Sequence, residues 1–81
     1  MRKFNVLLNG IEKVKTFCDL ANKQDYELSL QSGRYIIDAK SILGIFSLDL
    51  TKPIELIVET EGIDLVVVKK IFEDYIPTGD M

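Results

Sequence analysis

The chain has 81 residues, a net charge of −3, an apolar content of 47%, one cysteine and no histidine. It is long enough for one small domain, and that domain must fold without an internal disulfide and without the ligands of a structural zinc site. The acidic balance lacks a basic cluster and argues against direct nucleic-acid binding, while no apolar run approaches a membrane span or a signal-peptide core, so a cytoplasmic domain is expected.

KFNVLL (3–8) alternates, with Phe4, Val6 and Leu8 on one side, as a half-buried strand requires. Asn9 and Gly10 then punctuate the chain, and Asn9 is suited to cap a helix. From Ile11 the apolar period lengthens: Ile11, Val14, Phe17, Cys18 and Ala21 form the stripe of an amphipathic helix ending near Lys23. YELSLQ (26–31) alternates again, with Tyr26, Leu28 and Leu30 on one side. Ser32-Gly33 is a hairpin-turn signal, and RYIIDAK returns as a strand with Tyr35, Ile37 and Ala39 inward.

Ser41 opens a short helical stretch, SILGIFSL (41–48), and Pro53 marks entry to a fourth strand, IELIVET (54–60), with Ile54, Leu56 and Val58 facing in. Gly62 breaks the chain and Asp64 can cap the last helix, whose inward residues are Leu65, Val68, Ile71, Phe72, Tyr75 and Ile76. Residues 76–81 read as a frayed tail. The order β-α-β-β-α-β-α, in four half-apolar strands, predicts an α+β domain over 1–81 with helices on one face of an antiparallel sheet.

Little in this pattern carries catalysis. The carboxylates are scattered over solvent positions, and Cys18 lies on the apolar stripe, where a thiol is a core residue before it is a nucleophile. No metal or cofactor is expected, and the chain does not read as an enzyme. The segment 41–48 is the exception, because a helix of two turns has one side to bury and here carries apolar residues around most of its circumference. With Ile45 and Leu48 packed inward, Ile42, Leu43 and Phe46 face water beside Ser41, and clustered exposed apolar residues mark an interaction surface.

KSILGIFSL (40–48), with its Lys-Ser start, mid-helix glycine and terminal Ser-Leu, resembles the HPr phosphocarriers of the bacterial sugar phosphotransferase system. TEGID (60–64) fits the same family, and the likeness runs from about Lys23 to Ile76. It implies an open-faced β-sandwich of four strands and three helices. The family's Gly-(Leu/Ile)-His-Ala-Arg-Pro-Ala motif is missing: its histidine position falls near Gly10, its arginine on Glu12 and its proline on Lys13. Phosphohistidine needs an imidazole, and a carboxylate in place of arginine repels phosphate. The phosphocarrier chemistry is therefore not expected here.

Ser41 matches the family's second site, a regulatory serine phosphorylated by an ATP-dependent kinase. The marked form, and a paralogue lacking the histidine, serve as corepressors of a transcription regulator. The resemblance thus implies a non-catalytic regulatory module with Lys40, Ile42, Leu43, Phe46 and Ser47 as a docking face. An HPr-type serine kinase or a transcription regulator would be its partner, with no direct role for nucleic acid or membrane. Ser41 as only a helix cap stands as an equal alternative. Two other functions stay open: a phosphotransfer relay through Ser41 or Cys18, and a structural or self-associating domain. The last would use Leu7, Ile36 and Ile57 on the uncovered side of the sheet, in a weak homodimer; Leu7 and Ile57 would be neighbours if strands one and four pair.

Overall fold

The computed structural model describes residues 2–77. Four strands, β1 (Lys3–Val6), β2 (Leu28–Ser32), β3 (Tyr35–Asp38) and β4 (Ile54–Val58), form one antiparallel sheet in the order β1-β4-β2-β3. Three helices, α1 (Ile11–Asn22), α2 (Ile42–Phe46) and α3 (Leu65–Ile71), cover one face, followed by a 3₁₀ turn at Glu73–Tyr75. This is the expected α+β sandwich with three helices on one side.

The period-2 pattern explains why the sheet has one dry side. Across the strands Phe4, Leu56, Leu30 and Ile37 make a continuous row towards the helices. Val6 pairs with Ile54, and Leu28 with Val58, on the same side. Val14, Phe17, Cys18 and Ala21 of α1, Ile45 of α2, and Val68 and Phe72 at α3 close over them. Phe17 sits at the centre, with its ring 5.2 Å from Phe72 and edge-on to Tyr75 at 5.4 Å. Tyr75 keeps its hydroxyl at the rim, donating to Thr16 Oγ1 at 2.8 Å, as a tyrosine with one wet end does.

Element ends depart from the sequence reading for local reasons. β1 stops at Val6, although Leu8 is still buried, because Leu7 N–H leaves the ladder for Tyr75 O at 2.7 Å. β2 starts at Leu28 rather than Tyr26, and Glu27 N–H bonds Thr60 Oγ1 at 2.9 Å in place of a ladder bond. β4 likewise ends at Val58 instead of Thr60. Ser32 pairs with Tyr35, so the hairpin turn is Gly33-Arg34 rather than Ser32-Gly33, with Gly33 at φ 60° in the first central position that a type II′ turn assigns to glycine. The last helix breaks at Phe72 into the 3₁₀ turn. Of the expected tail, Ile76 packs partly against the core, and 78–81 lie outside the described residues.

Two apolar residues expected inside are outside. Ile11 is 63% exposed, since it occupies the first helical position and α1 meets the sheet only from Val14 onward. Tyr35 is 73% exposed, because α2 covers β3 at Ile37 and Tyr35 lies one pleat further towards the turn. On the open face the rows read Lys3, Ile57, Ser29, Asp38 and Asn5, Glu55, Gln31, Ile36. Leu7 and Ile57 are not the expected neighbours: the register sets Lys3 opposite Ile57, and Leu7 falls beyond the end of β1. Ile57 is itself buried in the central strand, while Lys3 reaches along the sheet to Glu55 at 3.0 Å.

Candidate functional site

The segment 38–41 is pinned before α2 begins. Asp38 Oδ1 accepts from Lys40 N–H at 2.9 Å and Asp38 O accepts from Ser41 N–H at 3.0 Å. Lys40 O receives Asn22 Nδ2 at 3.1 Å and the Cys18 thiol at 3.5 Å, which ties the segment to α1. The Lys40 ammonium, placed by the resemblance on the docking face, donates instead to Gln24 O at 2.8 Å, a carbonyl just past the end of α1 where the helix dipole favours a cation.

Ser41 caps α2 from an extended backbone, its Oγ accepting from Gly44 N–H at 3.2 Å while its carbonyl accepts from Ile45 N–H at 3.0 Å. At the other end Ser47 Oγ donates to Gly44 O at 2.6 Å. Gly44 is where the helix presses against β3. A Cβ there would lie 3.3 Å from Ser41 Oγ and 3.4 Å from Ile37 Cβ, so a larger residue would crowd the cap and the helix–sheet contact together.

The faces of α2 divide as its spacing requires. Ile45 is fully buried and Leu48 nearly so, whereas Leu43 is 81% exposed, Phe46 41% and Ile42 38%. Ser41 and Ser47 are exposed beside them. An open groove of about 540 Å³ runs from the end of α2 to the hairpin, lined by Arg34, Tyr35, Ser47, Leu48 and Asp49 among others. Sequence reasoning missed this extension. No local signal marks it, because the groove depends on where α2 stops relative to β3.

The start of α1 has a different character. Gly10, not Asn9, is its N-cap, at φ 144° and ψ 148°, with no side-chain cap. Gly10, Glu12 and Lys13 are all exposed. No imidazole exists to take a phosphoryl group.

Cys18 is buried, and burial first, then the charge of Asp19, pushes its thiol up from its ordinary value; a hydrogen bond from Asn22 works the other way. A thiol held protonated against a carbonyl is a poor nucleophile. Among the described residues no cluster of three metal-ligating side chains occurs, and no helix is long and apolar enough to cross a membrane.

No protein-family model matches the chain, and no curated protein matches its sequence. Among solved structures it is similar to one described as HPr-C-His from Thermoanaerobacter tengcongensis, with a TM-score of 0.72 and 22% identity over 91% of this chain and 89% of that one. Identity at that level carries architecture and not activity, so the conclusion is structural: this chain has the HPr-like fold.

Proposed function

We propose that this protein is a non-catalytic docking module related to the phosphotransferase system, which binds a protein partner through α2 and is regulated by phosphorylation at Ser41. One observation carries the reading: a five-residue helix exposes Ile42, Leu43 and Phe46 beside an accessible serine, while the position that resemblance aligns with the phosphocarrier histidine is Gly10. Lys40 and Ser47 border the same face. A phosphate on Ser41 adds about −1.5 to −2 charges at a helix start. The first N–H groups of α2, those of Ile42 and Leu43, have no intrahelical partners and point that way. The fold therefore tolerates the group, and the charge falls at the edge of the apolar face, where it changes which partner fits.

An HPr-type serine kinase and a transcription regulator of the kind served by phosphorylated HPr are the partners to test. The experiment has two arms. With ATP and such a kinase, Ser41 should take label and Ser41→Ala should not; with phosphoenolpyruvate and the general phosphotransferase enzyme, no acid-labile label should appear. Affinity for the regulator should then differ between the phosphorylated and unmodified forms and fall in Phe46→Ala. Label from phosphoenolpyruvate would favour the relay instead. Unchanged affinities together with no kinase label would leave Ser41 a helix cap.

A further inference from the structure

The sheet ends in two edge strands, β1 and β3. Beyond β1 the chain is already engaged, through the bond from Leu7 to Tyr75. Among the described residues β3 pairs only with β2, and no strand lies along its other side. Ala39 N–H donates to Leu28 O at 3.0 Å, so Leu28 and Ala39 are a hydrogen-bonded pair of the ladder. Antiparallel alternation then makes Leu30–Ile37 and Ser32–Tyr35 the other bonded pairs and turns the N–H and C=O of Ile36 outward. Around that unpaired backbone sit Tyr35 and Ile36, two of the large apolar side chains most exposed in the protein. An edge of this kind is a template for another strand.

We propose that β3 pairs with β3 of a second copy of the chain, antiparallel about a two-fold axis through Ile36. The charges select both the occupant and the register. Arg34 and Asp38 lie two residues to either side of Ile36. A two-fold axis at Ile36 sets Arg34 opposite the partner's Asp38, and Asp38 opposite the partner's Arg34. Neither Arg34 nor Asp38 has an ion-pair partner among the described residues. In the same register Ile36 meets its own copy and exchanges both outward backbone bonds, while Tyr35 lies opposite the half-buried Ile37 of the partner. Moving the axis by one residue loses this match. Centred on Ile37 it opposes Arg34 to Lys40 and Ile36 to Asp38; centred on Tyr35 it sets Arg34 against Ile36. The interface is isologous and closes, and it continues the sheet to eight strands without using α2. It needs no residue of α2, although Arg34 and Tyr35 also line the groove that extends from the end of that helix.

Sedimentation equilibrium of the full chain at low ionic strength tests this. The natural chain should dimerise in a concentration-dependent way. Arg34→Glu makes both facing positions acidic and Asp38→Arg makes both basic. Each alone should weaken the dimer at least about tenfold, since attraction becomes repulsion at two symmetry-related pairs. An equimolar mixture of the two variants should associate again as a mixed dimer. Because Asp38→Arg also removes the bond to Lys40 N–H, exchange of the Ile36 amide in the natural chain gives a second reading: its protection should rise with protein concentration. A chain that stays monomeric at millimolar concentration, a dimer indifferent to both substitutions, or an Ile36 amide whose exchange ignores concentration would each overturn the proposal.

Discussion

α1 and α2 are built from similar apolar residues and treat them in opposite ways. α1 is 12 residues long, three turns and more, and from Val14 to Ala21 it lays a single stripe against the sheet, with charged residues outside. α2 has five residues. Only Ile45 goes fully in, and Leu48 closes the end, while three other large side chains remain in contact with water. Folding alone accounts for α1. It does not account for Leu43, which makes the surface less soluble and adds little to the core, and that surplus is what directs attention to α2 as a contact face.

Substitutions can break or sharpen this contrast. The largest effect belongs to α1: Phe17→Ala empties the centre of the core beneath two aromatic neighbours and should cost about 3–5 kcal/mol, measured by denaturant unfolding. In α2, Ile45→Ala should cost about 2–5 kcal/mol, whereas Phe46→Ala, one residue on, should cost about 1 kcal/mol or less. A thermal melt in which Phe46→Ala is the more damaging would reverse the assignment of faces and remove the distinction between the two helices.

Ser41→Ala comes next. It removes the acceptor for Gly44 N–H and should lose about 0.5–2 kcal/mol with no kinase present. No comparable capping side chain exists on α1, so the loss sharpens the difference between the two helix starts. An unchanged unfolding midpoint would show that the cap contributes nothing. The smallest effect concerns Asp49, just past α2. Bonds from the Thr51 hydroxyl and N–H, at 2.6 and 3.1 Å, hold its carboxyl below its ordinary value of 3.8. A depressed carboxylate stabilises the fold above the unfolded value, and this contribution disappears as pH falls through the folded one. Thr51→Val should return the Asp49 titration, followed by NMR, towards the ordinary value.

The architecture was legible because the two periodicities are clean. Alternation in 3–8 and 54–60 located strands, three-and-four spacing located α1, and the burial of Ile45 and exposure of Leu43 followed from helical geometry. What escaped detection depends on distances between elements. Nothing in RYIIDAK tells that α2 covers Ile37 and stops short of Tyr35. Nothing near Ile11 tells that the sheet's cover begins one turn later. The register of β1 against β4, which separates Leu7 from Ile57, is decided by pairing across some fifty residues of sequence. The Lys40 ammonium went to Gln24 O for the same reason: the competing carbonyl is distant in the chain and close in space.

The backbone at Gly10 limits what that position can carry. A φ of 144° with ψ 148° belongs to a region that is nearly closed to residues bearing a Cβ. Open space surrounds the position, with nothing within 4 Å of a Cβ built there, so the obstacle to a side chain is torsional and not steric crowding. Placing a histidine at position 10 would strain the entry to α1 before any phosphate arrived, and the exposed carboxylate of Glu12 would oppose that phosphate. Building a phosphate acceptor at this helix start would therefore take more than one substitution.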